Sequence, residues 1–203
     1  MKASLSSSHL DSKQHVNKQR AVGHPFVSEI HPRPLHLVVP EGQIQVHTAP
    51  YRGSFSGVLS EALRAAGLGR RVLVAQLLKG GVSQGPTGKV NLCGRLEWLR
   101  PAISSCLVEK FDDHTSKESQ ASALNAVKEI WEICKERLLS GSLDQLVLDE
   151  VGLAIHLGYL NESDLINTLE RRPGAMDVIL TGPAIPSRVI GMADQVTELR
   201  SGH

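Results

Sequence analysis

Apolar residues after Gln43 follow two periodicities that predict alternating strands and helices. Short apolar runs and alternations predict six strands, at 44–48, 72–78, 96–99, 146–148, 178–180 and 196–199. Apolar residues spaced at three and four positions predict three helices, at 55–66, 117–139 and 162–169. Apolar strands separated by helices are typical of a parallel sheet covered on both faces. We therefore predict an α/β fold of three layers, with a parallel sheet between two layers of helices.

Polar residues mark two positions in this pattern. Asn161 precedes the third helix, and Asp164 stands three residues later, which is typical of a helix N-cap. His156 lies within the apolar stretch 154–157, which favours a packed core histidine over a metal ligand.

The first 40 residues differ in composition from the rest. They hold five Lys or Arg, two acidic residues and five of the nine histidines, together with several serines and prolines. This composition favours a flexible basic arm over an organellar transit peptide. We therefore divide the chain into an arm at 1–40 and a domain at 41–203, and expect a cytoplasmic protein.

Charge and composition exclude several classes of partner. The formal net charge is +1, which argues against broad electrostatic binding to nucleic acid or to an anionic membrane. No apolar run approaches the roughly 18 residues that a membrane-spanning helix needs.

The three cysteines lack the C-x-x-C spacing of zinc sites, and no Ser–His–Asp or Cys–His arrangement stands out. We assign no catalytic residue.

The segment between the first strand and the first helix has the position of a phosphate-binding loop. A strand that ends at Thr48, followed by a loop and a helix that begins near Phe55, is the order found around such loops. The candidate nucleotide-binding residues in this segment are Thr48, Arg52, Gly53, Ser54 and Ser56.

Two acids follow the buried strand at 146–148. Asp149 and Glu150 stand at the end of this strand, the usual position of an acid that orients magnesium. They fit either a metal site or structural residues that accept hydrogen bonds from neighbouring backbone. The structural interpretation is favoured.

Several segments, taken in order, resemble one known family. The matching segments are 64–69 (RAAGLG), 74–80 (VAQLLKG), 146–150 (LVLDE), 158–160 (GYL), 171–174 (RRPG), 178–182 (VILTG) and 193–200 (ADQVTELR), with Trp131 in the long helix. Over residues 43–200 the chain resembles the P-loop-type ATP:corrinoid adenosyltransferases. The resemblance implies a P-loop NTPase-like (RecA-like) fold and a homodimer. It also implies the use of ATP, Mg²⁺ and a corrinoid, the adenosyl group of ATP being transferred to reduced cobalt while triphosphate leaves.

The loop departs from the family pattern T-G-x-G-K-G-K-T-T. Ala49 and Tyr51 replace glycines, Ser54 replaces the essential lysine, and Phe55 replaces the first threonine. The lost lysine removes the main counter-charge for the leaving triphosphate, an electrostatic contribution worth on the order of 3 kcal/mol. Side chains in place of glycines also block the close approach of backbone to phosphate. Arg52 stands where the family has its other lysine.

Two hypotheses of function follow from these departures. The first, which we favour, is a divergent relative without ATP-dependent adenosyl transfer that acts as a binding, regulatory or scaffold protein, with a protein partner as one option. The second is an active adenosyltransferase with an atypical phosphate loop that uses Arg52 and a residue of another chain. For either, ATP, Mg²⁺ and corrinoid are implied by the resemblance alone.

Overall fold

A computed structural model describes residues 40–53, 55–81, 83–108 and 117–200. The strands are β1 (Ile44–Thr48), β2 (Val72–Gln76), β3 (Val90–Leu92), β4 (Leu96–Leu99), β5 (Gln145–Asp149), β6 (Asp177–Thr181) and β7 (Gln195–Glu198). The helices are α1 (Ser56–Gly67), α2 (Lys117–Leu139), α3 (Val151–His156), α4 (Glu162–Glu170) and α5 (Ser187–Met192), with one 3-10 turn at Pro86–Gly88. Nearly all of the predicted arm at 1–40, and Ser54, lie outside these residues, so the domain boundary stays a prediction.

The described strands form one sheet in the order β3-β4-β2-β5-β6-β1-β7. Every neighbouring pair is parallel except β3 and β4, which run antiparallel at the edge. All six predicted strands and all three predicted helices are present. The α/β fold is therefore confirmed, with the correction that one edge strand makes the sheet mixed. A three-residue strand that is largely exposed carries too weak a pattern to be found in the sequence.

Two apolar cores on opposite faces of the sheet confirm the three-layer arrangement. Alternate residues of β2 divide between them, with Val72 and Val74 on the side of α1 and Leu73 and Ala75 on the side of α2. The core on the α1 side also contains Val58, Ala62, Ala65, Ala66, Val147 and Ile179. The larger core contains Val127, Ile130, Trp131, Cys134, Leu165 and Leu169. The central strands are buried on both faces, which explains their continuous apolar runs.

The structure corrects three details of the sequence interpretation. β2 ends at Gln76, because Leu77 and Leu78 form a buried turn whose side chains pack in the larger core. His156 is not packed in the core: it is the last residue of α3 and is exposed. The short helices α3 and α5 were not predicted, because six residues are too few for a clear helical period. The cap on α4 is confirmed, since Asn161 Oδ1 accepts the backbone N–H of Asp164 at 3.1 Å.

No helix within the described ranges is both long and apolar enough to cross a membrane.

The starts of β2 and β5 are joined by an acid–arginine contact. The Asp144 carboxylate accepts the backbone N–H of Arg71 at 2.7 Å and Arg71 Nη2 at 2.7 Å. The hydrogen bonds from the side chain and then the backbone of Arg71 lower the pKa of Asp144 to about 2. A carboxyl whose pKa is lower in the folded state stabilises the protein above its ordinary pKa, and this contribution is lost as the pH falls towards the folded value.

We expect Asp144→Asn to lower the free energy of unfolding by about 1 kcal/mol at pH 7, a value reduced for the exposure of this pair. At pH 3 the difference between variant and parent should be smaller, because part of the Asp144 contribution is already lost in the parent. Urea denaturation at both pH values measures the two differences. Glu61→Gln, which removes an exposed carboxylate paired with Arg64, is the control and should have a smaller effect at pH 7. An equal loss at both pH values would contradict the assignment.

Candidate functional site

Polar side chains meet where four neighbouring parallel strands end. β2, β5, β6 and β1 lie side by side in that order and end at Gln76, Asp149, Thr181 and Thr48. Parallel strands present their carboxyl ends at one edge of the sheet, where ligands of α/β proteins usually bind. We call the polar side chains at this edge the carboxyl-edge cluster. It consists of Arg52, Gln76, Lys79, Trp98, Arg100, Asp149, Glu150 and Thr181.

Arg52, the cation of the candidate phosphate loop, forms a two-point ion pair with Glu150. Its Nε donates to Glu150 Oε1 at 2.5 Å, and its Nη2 donates to Glu150 Oε2 at 2.8 Å. Its Nη1 donates to the backbone oxygen of Leu107 at 2.8 Å. The hydrogen bond with Glu150 raises the pKa of the Arg52 guanidinium above its ordinary value. All three guanidinium nitrogens therefore have partners within the chain.

The Asp149 carboxylate is also fully engaged. Thr181 Oγ1 donates to its Oδ1 at 2.7 Å, while Gln76 Nε2 and Lys79 Nζ donate to its Oδ2 at 2.8 Å and 3.0 Å. Asp149 is 3% exposed, and a buried carboxylate at such a position needs a cation and hydrogen-bond donors. Lys79 supplies the cation, and Gln76 and Thr181, at the ends of β2 and β6, supply the neutral donors.

Gln76 extends the cluster to the outer part of the sheet. Its Oε1 accepts Trp98 Nε1 and Arg100 Nε, each at 2.9 Å. The Arg100 guanidinium also lies 5.9 Å from the centre of the Trp98 ring, a cation–π distance. Gln76 is 3% exposed and uses both ends of its amide, so it connects Asp149 to β4.

The backbone around Glu150 fits closely against the segment after β6. Glu150 has φ 59°, a left-handed conformation that is costly for a residue other than glycine. A Cβ built on Gly182 would lie 2.8 Å from Glu150 Cα, and one on Gly152 would lie 2.5 Å from the Pro183 oxygen. Only glycine is compatible with these approaches. Glu150 is therefore held in one orientation towards Arg52.

The loop residues divide between the core and the surface. Ala49 and Phe55 are buried in the α1-side core, at 5% and 6% exposure. Tyr51 is exposed, and its ring lies over Gly53, where a built Cβ would be 3.2 Å from Tyr51 Cε2. Phe55 is the N-cap residue of α1 and provides no side-chain cap.

The other candidate residues lie near the loop but outside the ion pair. Thr48 ends β1 and accepts the backbone N–H of Leu199 at 2.8 Å, and Ser56 is the exposed first residue of α1. Ser54 lies outside the described residues. Of the predicted site residues, the structure brings Arg52 and Glu150 into contact and places Asp149 beside them.

The sequence analysis did not assign Gln76, Lys79 or Thr181 to the site. Lys79 and Thr181 each follow the end of a predicted strand, and this position was the signal that could have identified them, whereas Gln76 lies inside the predicted strand at 72–78 and ends β2 only in the structure. Among the described residues, no three or more His, Cys, Asp or Glu side chains are grouped so as to hold a metal ion. Metal binding by Asp149 and Glu150 stays a prediction from sequence.

The chain is similar in sequence to known proteins of one family. A family model described as ATP:corrinoid adenosyltransferase BtuR/CobO/CobP matches residues 40–203. The corrinoid adenosyltransferase of Escherichia coli strain K12 is 31% identical over 159 residues, which are 78% of this chain and 76% of that protein. Corrinoid adenosyltransferase CobA of Salmonella typhimurium strain LT2 has the same identity and coverage. The corrinoid adenosyltransferase of Pseudomonas aeruginosa PAO1 is 27% identical over 158 residues, 78% of this chain and 74% of that protein.

We expect Arg52→Ala to lower the free energy of unfolding by about 2 kcal/mol, because it leaves the buried Glu150 carboxylate without a cation. This value is below that for a fully buried pair, since the Arg52 side chain is 28% exposed. Urea denaturation measures the change. The matched double variant Arg52→Met with Glu150→Gln removes both charges. Its free energy of unfolding should fall by less than that of Arg52→Ala alone. A double variant that is less stable than Arg52→Ala would contradict the pairing argument.

Proposed function

Since the chain belongs to the ATP:corrinoid adenosyltransferase family, we propose that it is a member without ATP-dependent adenosyl transfer, which acts as a binding, regulatory or scaffold protein. The observation that carries this proposal is the Arg52–Glu150 ion pair. Arg52 is the one cation within the loop at 49–56, and all of its guanidinium nitrogens are engaged inside the protein.

Electrostatics support the proposal. Triphosphate carries several negative charges, and a loop that binds it needs cations directed at the phosphates. The carboxyl-edge cluster has three cations, Arg52, Lys79 and Arg100, against two carboxylates, Asp149 and Glu150, for a formal surplus of one positive charge. To reach a phosphate, Arg52 would have to leave Glu150, whose side chain is 2% exposed. That step would leave a buried carboxylate unpaired, at a cost of several kcal/mol.

The shape of the loop supports the proposal as well. A phosphate loop uses glycines so that successive backbone N–H groups approach the phosphates closely. Here Ala49 directs its methyl group into the core, and the Tyr51 ring covers Gly53. Phe55, at the position where the family has a magnesium-binding threonine, is part of the same core. The loop is therefore packed as a structural element.

The acids at the end of β5 do not fit a magnesium ion in this arrangement. Magnesium prefers oxygen ligands and usually retains several of its water molecules. Both Glu150 oxygens accept from Arg52, and both Asp149 oxygens accept from Thr181, Gln76 or Lys79. A magnesium ion at this position would lie against the positive charges of Arg52 and Lys79.

We expect calorimetric titration of the full chain with ATP and magnesium to show no binding, with or without a corrinoid present. The corrinoid adenosyltransferase of Escherichia coli, titrated under the same conditions, is the positive control. A pull-down with the tagged protein then follows to identify protein partners. Micromolar binding of ATP that is lost in Arg52→Ala would sink the proposal and support the active enzyme with an atypical loop.

A second test restores the two family residues at the end of the loop. We expect Ser54→Lys with Phe55→Thr to remain inactive in an adenosyltransferase assay, because the Tyr51 ring still covers Gly53 and Arg52 stays paired with Glu150. The variant should also be less stable by about 3 kcal/mol, since Phe55 is buried in the core and its loss leaves a cavity. Phe55→Thr alone separates the loss of stability from any effect of the lysine. ATP-dependent turnover by the double variant would refute the steric part of the argument.

The homodimer implied by the family resemblance stays a prediction.

A further inference from the structure

A cavity of about 370 Å³ lies beside α1, where β1 and β7 form one edge of the sheet. Residues of β1, β6 and the first turns of α1 line it, together with the residue that follows β7. No member of the carboxyl-edge cluster contributes to the lining. The cavity is therefore distinct from the carboxyl-edge cluster, although Phe55 and Ser56 of the loop at 49–56 belong to its lining.

Four apolar side chains form most of the cavity wall. Phe55, Val58 and Ile179 are buried members of the α1-side core, so the surrounding packing fixes their positions. Leu199 is 42% exposed, and its backbone N–H donates to the Thr48 oxygen at 2.8 Å, which holds it at the end of the sheet. A volume of about 370 Å³ falls in the range of roughly 300–1,000 Å³ that is usual for small-molecule sites.

Two half-buried polar side chains of β1 project into the cavity from the sheet. The alternation of the strand places Ile44 and Val46 in the opposite core, so Gln45 and His47 lie on the side of α1. Burial lowers the pKa of His47 below its ordinary value, and its ring is therefore neutral near pH 7, with one donor and one acceptor nitrogen.

Glu61 is the one charged residue that lines the cavity, and its carboxylate is paired with Arg64 on the same helix. No Lys or Arg of the described residues lines it. A phosphate or another anion would find a carboxylate and no cation there, so a neutral molecule is favoured.

We propose that this cavity binds a neutral heteroaromatic molecule of nucleobase or nucleoside size. Its ring faces contact the apolar wall, and its edge exchanges hydrogen bonds with Gln45 and His47. His47 presents a donor and an acceptor. Gln45 Nε2 donates one N–H to Gln43 Oε1 at 3.3 Å, which leaves its second N–H and its Oε1 for a ligand, and a nucleobase edge carries both kinds of group. Phosphorylation of the ligand adds nothing to the binding, because none of the described Lys or Arg residues lines the cavity.

The test is a two-dimensional NMR titration of the isotope-labelled full chain with four neutral probes: adenine, adenosine, uridine and nicotinamide. We expect at least one probe to shift the amide signals of residues 45–47, 56–58 and 199 selectively. If adenosine binds, its mono- and triphosphates should bind no more tightly.

Two glycines of α1 provide matched variants. A Cβ at either Gly57 or Gly67 meets no atom within 4 Å, so both positions accept a side chain, but only Gly57 lines the cavity. Gly57→Phe should weaken probe binding by about tenfold or more, while Gly67→Phe leaves it unchanged. His47→Ala, which removes the polar group at the sheet, should weaken it as well.

Three outcomes would overturn the proposal. The first is that none of the four probes at millimolar concentration shifts signals around the cavity. The second is that Gly57→Phe and Gly67→Phe bind the probes equally well. The third is that the triphosphate binds at the cavity much more tightly than adenosine does, which would show that an anion is held there.

Discussion

The ion pair between Arg52 and Glu150 is the contact that organises the carboxyl edge of this protein. Its two charge-assisted hydrogen bonds join the loop after β1 to the end of β5, and the third donor of Arg52 joins both to the segment at Leu107. Glu150 is buried and held in a left-handed conformation by the close approach of Gly182. A carboxylate fixed in this way needs a partner, and Arg52 supplies it with the bidentate geometry that favours arginine over lysine.

The neighbouring carboxylate, that of Asp149, is also paired within the chain, but with different residues. Asp149 takes one cation from Lys79 and neutral donors from Gln76 and Thr181, so the strand ends of β2, β5 and β6 are joined by side chains. In many α/β proteins this edge is where a ligand binds. Here its acids are satisfied by residues of the chain itself. The chain keeps the fold of the adenosyltransferase family, and at this edge Arg52 pairs with Glu150 and Lys79 pairs with Asp149.

The cavity beside α1 differs from the carboxyl-edge cluster in its lining, which is mostly apolar. There the buried wall is apolar, and the His47 ring of β1 has no hydrogen-bond partner among the described residues, while Gln45 Nε2 donates to Gln43 Oε1 at 3.3 Å. The charged groups of the carboxyl-edge cluster pair with one another, whereas no Lys or Arg of the described residues lines the cavity. The loop at 49–56 contributes to both regions, since Arg52 belongs to the carboxyl-edge cluster and Phe55 lines the cavity.

The sequence by itself determined the α/β class, the six strands and three helices with strong periods, the Asn161 cap and the family. These features depend on short-range spacing, and apolar periodicity is a local property of the chain. It also placed Arg52 in the loop after the first strand, and Asp149 and Glu150 at the end of the strand at 146–148. Only the tertiary structure decided that Arg52 pairs with Glu150, 98 residues away, and that Gln76, Lys79 and Thr181 surround Asp149. The exposure of His156, the antiparallel β3 and the burial of Phe55 were decided there as well. Each depends on which distant segments pack together, and no local spacing encodes that choice.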